Sequence, residues 1–152
     1  MSKITVGGAT RQQSVFIGLK EADKRCRLVA VHDGARPFVT VREIEDAILG
    51  AVGCAVVVAT KVSETIKTVD GSGFVCGTPQ RERLWAAKTP QIIPADILLK
   101  AYEKADAHGF TATDDASLVE FLGYPVKVIE GSVNNIKITT DRDLIVSNIT
   151  IY

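Results

Sequence analysis

In the stretch RLVAVHDGARPFV, a continuous apolar run ends abruptly in a carboxylate, Asp33. Gly34, Ala35 and Arg36 follow at once. These residue types suit an anion site. A carboxylate at a strand mouth can hold a hydrated Mg²⁺, a hard ion that prefers oxygen ligands. Gly34 and Ala35 leave room for a phosphate or ribose to approach the backbone. Arg36 can fork two donors onto an anionic oxygen. On these residues alone, an Asx turn carrying a surface arginine accounts for the pattern as well.

The elements that must position such residues can be read from the pattern. The run 28–32 has the continuous apolar character of a buried parallel strand. A second buried strand is expected at CAVVVAT, with further strands at SKITVGG, PVKVIEG and NIKIT. Helices are expected between them. TRQQSVFIGLKEA has Thr10 as N-cap and Val15, Leu19 and Ala22 along one side. TVREIEDAILGAV has a Thr40–Glu43 capping box and the stripe Ile44, Ala47, Ile48 and Ala51. PADILLKAYEKADAHG stops at Gly109, and TDDASLVEFLG starts from Thr113 as cap. TDRDLIVSNI opens a last helix. Apolar strands alternating with amphipathic helices predict an α/β domain: a mostly parallel, Rossmann-like sheet with helices on both faces. The mixed-polarity segment 64–80, folded around Gly71-Ser72-Gly73, reads as a projecting β-hairpin arm. Residues 1–152 form one domain that includes this arm.

Bulk properties narrow the class. Lys plus Arg and Asp plus Glu both total 18, so the chain has no general attraction to nucleic acid or to an anionic membrane. Any anion site must be local. Cys26, Cys54 and Cys76 lack metal-ligand spacing. They predict neutral or buried thiols in a reducing, cytoplasmic setting. No apolar run approaches the roughly 20 residues needed to span a bilayer.

Polar clusters at element boundaries complete the pattern: VGGATRQQSV, VHDGARPFV, SETIKTVDGSG, RERLWAAKTPQ, TDDAS and EGSVNNIKIT, in this order. Together they resemble the 2-C-methyl-D-erythritol 4-phosphate cytidylyltransferases, from about Val6 to about Leu144. The resemblance implies a nucleotidyltransferase fold and CTP-dependent cytidylyl transfer to that polyol phosphate in non-mevalonate isoprenoid biosynthesis, with Mg²⁺ as cofactor. It implies Asp33, Arg36 and Lys137 as catalytic residues, with Asp33 near the metal. It places Gly7, Gly8, Ser14, Asp33 and Ala35 at the nucleotide, and Thr65, Arg81, Thr89 and Thr113 at the polyol phosphate. Thr65 and Arg81 belong to the arm, which in this family reaches across a homodimer.

The chain departs from the family pattern in three ways. Nothing like the family's glycine-rich, Arg-bearing triphosphate loop precedes Ile4, so the chain resembles the C-terminal two-thirds of such an enzyme and is expected to be a weak catalyst alone. Gly34 stands where alanine is usual. Arg81 and Arg83 both flank Glu82, leaving open which of them meets phosphate. The alternatives are a non-catalytic nucleotide-binding or dimerisation fragment, and a cytidylyltransferase for another polyol phosphate such as ribitol 5-phosphate. His32 is expected on its strand with a satisfied ring nitrogen, and Trp85 in core or interface packing.

Overall fold

A computed structural model describes residues 3–150 of the chain. Its centre is a four-stranded sheet in the order β1-β5-β2-β6. The strands are β1 (Leu28–Val31), β2 (Ala55–Lys61), β5 (Trp85–Pro94) and β6 (Val126–Glu130). β2 and β6 are parallel, while β5 runs antiparallel to both β1 and β2. Three of the four strands therefore share one direction, and the sheet is mostly but not wholly parallel. Two expected strands do not form: residues 3–8 and the NIKIT segment join no ladder. β5 supplies the central position instead.

Five helices accompany the sheet: α1 (Arg11–Lys20), α2 (Val41–Gly50), α3 (Ala95–Ala107), α4 (Asp115–Leu122) and α5 (Asp141–Thr150). The alternation of strand side chains separates two apolar layers. Ala55 and Ile93 pack with Leu98, Ala101, Tyr102, Leu118 and Val119 of α3 and α4, and with Val15, Phe16 and Leu19 of α1. Val56, Val58 and Ile92 pack on the other face against Ala47 of α2 and Ile129 of β6. Both faces of β2 are thus covered, as is the Ile92–Ile93 end of β5, which is why β2 reads as an unbroken apolar run. Among the described residues, no helix is long and apolar enough to cross a membrane.

The caps explain where several elements begin. Thr10 accepts from the Gln13 N–H at the start of α1, and Thr40 and Glu43 form the expected capping box of α2. Ile48, expected on the apolar stripe of α2, lies largely exposed. The cap of α4 differs from expectation. Asp114, not Thr113, accepts from the Ser117 N–H. The helix starts one residue later, and the Thr113 hydroxyl is released from a capping role. The arm forms as β3 (Thr68–Val69) and β4 (Val75–Gly77), paired antiparallel around a turn in which Gly73 has φ +87°. It is outside the main sheet, and its apolar side chains Val69, Phe74 and Val75 are exposed. Cys26 and Cys76 are also exposed, and Cys54 is half-buried, so burial holds in part for one of the three free thiols.

β5 is interrupted where it matters most. Val57 pairs with Gln91, but Ala59 pairs with Ala87. Lys88, Thr89 and Pro90 therefore oppose Val58 alone, in a bulge that includes a cis Thr89–Pro90 bond. Bulges of this kind re-aim side chains at a sheet's rim. Gly131 closes β6 just beyond. A Cβ there would lie 2.3 Å from Val58 Cγ1 and 3.0 Å from Glu43 Oε1. Val58 is fully buried, so neither neighbour has room to retreat. Gly131→Ala is expected to cost about 1–3 kcal/mol by overpacking, read as a fall in the urea midpoint with an unchanged m-value.

Candidate functional site

β1 ends at Val31, and the chain turns immediately. The Arg36 N–H donates to the Asp33 carbonyl at 3.0 Å, closing the turn. Asp33 then faces three cations from three separate elements. Arg11 Nε, from the first turn of α1, lies 3.5 Å from Oδ1. Arg36 Nε and Lys137 Nζ lie 3.4 and 3.2 Å from Oδ2. Burial opposes ionisation of Asp33. The hydrogen bond and charge of Lys137, with the charges of Arg11 and Arg36, outweigh it and hold the carboxyl below its ordinary range.

Both arginines have a second tether, and the segment that carries the lysine is held separately. Arg11 Nη2 donates to Asp115 Oδ2 at 2.8 Å. Asp115 is fully buried and also accepts from the Tyr102 hydroxyl at 2.6 Å. Burial, then the charge and hydrogen bond of Asp115, push the Tyr102 hydroxyl far up, so it stays a donor. Arg36 Nη1 donates to the Asn135 carbonyl at 3.0 Å. Lys137 is carried by the segment 131–138, whose end is held by the Ile138 N–H donating to the Ala35 carbonyl.

The β5 bulge supplies the floor. Thr89 Oγ1 accepts from the Asp33 N–H at 3.0 Å and meets His32 Nδ1 at 3.0 Å, while His32 Nε2 faces the Arg36 carbonyl. The carbonyl requires a donor, so Nε2 carries the proton in the neutral ring. Nδ1 then accepts from Thr89. Both ring nitrogens are satisfied, as expected. The Thr89 hydroxyl proton is already committed to His32. Gln91 is buried in the strand, donates to Asp114 Oδ2 and accepts from the Ala116 N–H. With the Ser117 N–H on Asp114, the second and third amides of α4 are occupied. The N-terminus of α4 therefore offers an anion less than a bare helix end would.

Asp33, Arg36, Thr89, Thr113 and Lys137 line one cavity of about 260 Å³ together with Arg11 and Lys88. Four cationic side chains thus line one small cavity within a chain of zero net charge. Burial, and next the Arg36 charge, lower the Lys88 ammonium below the usual lysine range. Asp33 itself does not suit a directly bound Mg²⁺. Its oxygens already face three cations.

The remaining expected residues lie elsewhere. Gly7, Gly8 and Ser14 form a closed loop at the start of α1, where Ser14 Oγ accepts from the Gly8 N–H. Extra Cβ atoms at Gly7 and Gly8 would meet Ser14 Oγ at 2.8 Å and Gln13 Cβ at 2.5 Å. Close packing on the helix accounts for both glycines. A Cβ at Gly34 would meet nothing within 4 Å, so glycine is not sterically required there. Thr65 and Arg81 sit at the base of the arm, exposed, outside the cavity lining. Arg81 Nη1 donates to the Ser63 carbonyl. Trp85 is half-buried, with Lys61 Nζ 5.5 Å from its ring centre. A larger cavity, about 750 Å³, opens between α1, β1 and the start of α3. Its walls include Leu19, Ala22 and Val29 together with Lys20, Lys24 and Arg27, beside the outer edge of β1.

Sequence reading missed Arg11, Lys88 and Gln91. One signal was present, a cation directly after an N-cap; Lys88 and Gln91 lie in β5, whose polar centre hides it as a strand.

The electrostatics give a signed expectation. A carboxyl held low in the folded state stabilises above its unfolded pKa, about 3.9, and that contribution fades as pH falls through the folded value. Asp33→Asn leaves three cations facing one another. The variant is expected to lose roughly 2–4 °C in Tm at neutral pH, about 1 kcal/mol for a domain of this size. The gap to wild type should close as the solution is acidified through the folded pKa. Melting curves from pH 7 down to pH 3 check this.

A family model for 2-C-methyl-D-erythritol 4-phosphate cytidylyltransferase matches residues 2–152. A relative of that name from Caldanaerobacter subterraneus subsp. tengcongensis is 47% identical over 148 residues, covering 97% of this chain and 65% of the relative. One from Prochlorococcus marinus strain MIT 9215 is 49% identical over 140 residues, covering 91% of this chain and 62% of the relative. The chain thus spans less than two thirds of these curated relatives. Among solved structures, a 4-diphosphocytidyl-2C-methyl-D-erythritol synthase from Anaerococcus prevotii superposes with a TM-score of 0.90 at 38% identity, covering 95% of this chain and 65% of that one. The Thermus thermophilus cytidylyltransferase gives 0.85 at 36% identity, with 95% and 71% covered. The family model over residues 2–152, the relatives that share this name and the close superposition on solved members lead to one assignment: this chain belongs to the 2-C-methyl-D-erythritol 4-phosphate cytidylyltransferase family.

Proposed function

We propose that this chain carries the polyol-phosphate side of a site that transfers a cytidylyl group from CTP to 2-C-methyl-D-erythritol 4-phosphate. The observation that carries the reading is the ring of Arg11, Arg36 and Lys137 around Asp33 at the carboxyl end of β1. Ligands in open α/β sheets bind outside strand ends of this kind. A phosphate oxygen of the polyol phosphate attacks the α-phosphorus of CTP. The bond to the bridging oxygen breaks on the opposite side, and pyrophosphate departs. Two highly anionic groups must be brought together, so the work is positioning and charge compensation. Arg36 and Lys137 supply the charge, and Asp33 keeps them from being driven apart before the anion arrives. Gly7, Gly8 and Ser14, at the start of α1, take the nucleotide side of this reading. Thr113, free of the cap, offers a hydroxyl to the polyol phosphate.

The arm supplies the remaining contacts in a two-fold homodimer. A two-stranded hairpin is marginal in water by itself, and this one exposes Val69, Phe74 and Val75. Docking on a second subunit covers these side chains and carries Thr65 and Arg81 to the partner's pocket.

Pyrophosphate release from CTP by the full-length gene product, with methylerythritol phosphate and with ribitol 5-phosphate as acceptors, tests the reaction. Arg36→Ala is expected to lower kcat/KM about a hundredfold or more with little change in Tm. Near-normal turnover in that variant would remove Arg36 from the site. Arg81→Ala and Asp33→Asn subunits, each inactive alone, should regain activity on mixing, because one pocket of the mixed dimer receives both intact groups. No recovery after verified subunit exchange would place the arm outside the site.

A further inference from the structure

The segment that carries Lys137 has no ladder to hold it. Residues 131–138 leave the sheet at Gly131 and cross the rim of the cavity, with Val133 and Asn134 exposed. Besides Arg36, three side chains tie this segment down. Glu43 Oε1, already the capping carboxylate of α2, accepts from the Ser132 N–H at 2.9 Å. Asn135, fully buried, donates to the Thr89 carbonyl at 2.9 Å. Lys88, at the β5 bulge, donates to the carbonyls of Ser132, Val133 and Asn135 at 3.1, 3.3 and 3.1 Å.

An ammonium has three N–H donors and no acceptor. All three of those on Lys88 are spent on backbone carbonyls, so none is left for an anion, although the side chain lines the cavity. One of its acceptors, the Asn135 carbonyl, also receives Arg36 Nη1 at 3.0 Å. Lys88 thereby joins the bulge, the segment bearing Lys137 and the guanidinium of Arg36 at a single point.

We propose that Lys88 is a positioning residue: it clamps the segment 131–138 so that Lys137 and Arg36 converge on the anion site, without touching the anion itself. This rests on the anion-binding side of the function proposed above. Without the ammonium, three carbonyls lose their donor. The exposed crest at Val133 and Asn134 can then lift to let water reach them, carrying Lys137 away from Asp33.

A double-mutant cycle on phosphate binding separates this role from direct contact. The probe is inorganic phosphate titrated into the chain by calorimetry, at a temperature below every variant's Tm. Lys88→Met is expected to weaken binding about tenfold, yet less than about twofold when Lys137 is already Met, because the two act through one arrangement. Lys88→Gln replaces it in the cycle if the Met variant does not fold. Equal losses in both backgrounds would mean that Lys88 meets the anion itself or acts through overall stability, and would overturn the inference. So would unchanged binding in Lys88→Met, or absence of phosphate binding in the unsubstituted chain. If the cycle is non-additive while no cytidylyl transfer is found, the clamp stands and the proposed reaction falls.

Discussion

One carboxylate holds the site together. Asp33 receives Arg11 from α1, Arg36 from its own turn and Lys137 from the segment after β6. No two of these cations would choose each other's company. Placed within a few ångströms without a shared anion, they repel, and the repulsion grows as water is excluded. The acid at the mouth of β1 makes a concentrated positive site possible in a folded state. On the proposed function, an arriving phosphate would compete with Asp33 for the same donors, so the ring would exchange one anion for another instead of waiting uncompensated. The charge-neutral chain can therefore present a local anion trap without the solubility or stability costs of a large net charge.

The ring would be useless on mobile supports, and the sheet interior is built to prevent that. Polar groups usually avoid the middle of a covered sheet, because an unsatisfied one costs about 1–3 kcal/mol. Here Gln91, Asp115 and Asn135 are almost wholly buried. Gln91 fastens the start of α4 to β5, Asp115 fastens Arg11 to Tyr102 of α3, and Asn135 fastens the segment bearing Lys137 to the bulge. Each bond crosses between elements that apolar packing alone would leave free to slide. Burial also screens them little from one another, so the contacts are stiff. The polar interior converts two apolar layers into a frame with fixed geometry at one end.

The parts of this structure visible in the sequence are those governed by local rules. Thr10 and the Thr40–Glu43 box cap the helices they were expected to cap, since capping depends on residues three apart. CAVVVAT forms a strand because both its faces are covered. β5 escaped because Lys88, Thr89, Pro90 and Gln91 sit at its centre, and a strand whose polar residues are buried resembles a loop in any periodicity argument. The same bulge that disguised the strand re-aims Lys88 and Thr89 into the cavity. Thr113 and Asp114 are both good N-caps, and nothing local chooses between them. The tie is broken by Gln91, which takes the neighbouring Ala116 amide from across the domain. NIKIT was expected as a strand; it pairs with nothing regular, yet its alternation still turns Lys137 outward between the half-buried Ile136 and Ile138.

Bringing Asp33, Thr89, Thr113 and Lys137 to one place is a different problem. No spacing rule relates residues on β1, β5, the approach to α4 and the segment after β6, and only the family resemblance grouped them before the fold was known. Arg11 shows the limit of that route as well as of periodicity. The apolar positions of α1 define which face of the helix is buried, but its chemistry lies at the first turn, where the polar end of an amphipathic helix meets the mouth of a strand. The Asp115 that anchors Arg11 reads as an ordinary first-turn acid favouring a helix N-terminus. In the fold it is fully buried and engaged on both oxygens. A residue can obey a local rule and serve a distant partner at once. In this chain the site is built largely from such residues: Glu43 caps α2 and holds the Ser132 amide, and Asp114 caps α4 and holds Gln91. The fold therefore couples secondary-structure stability to site geometry, so that weakening a cap also loosens the anion-binding rim.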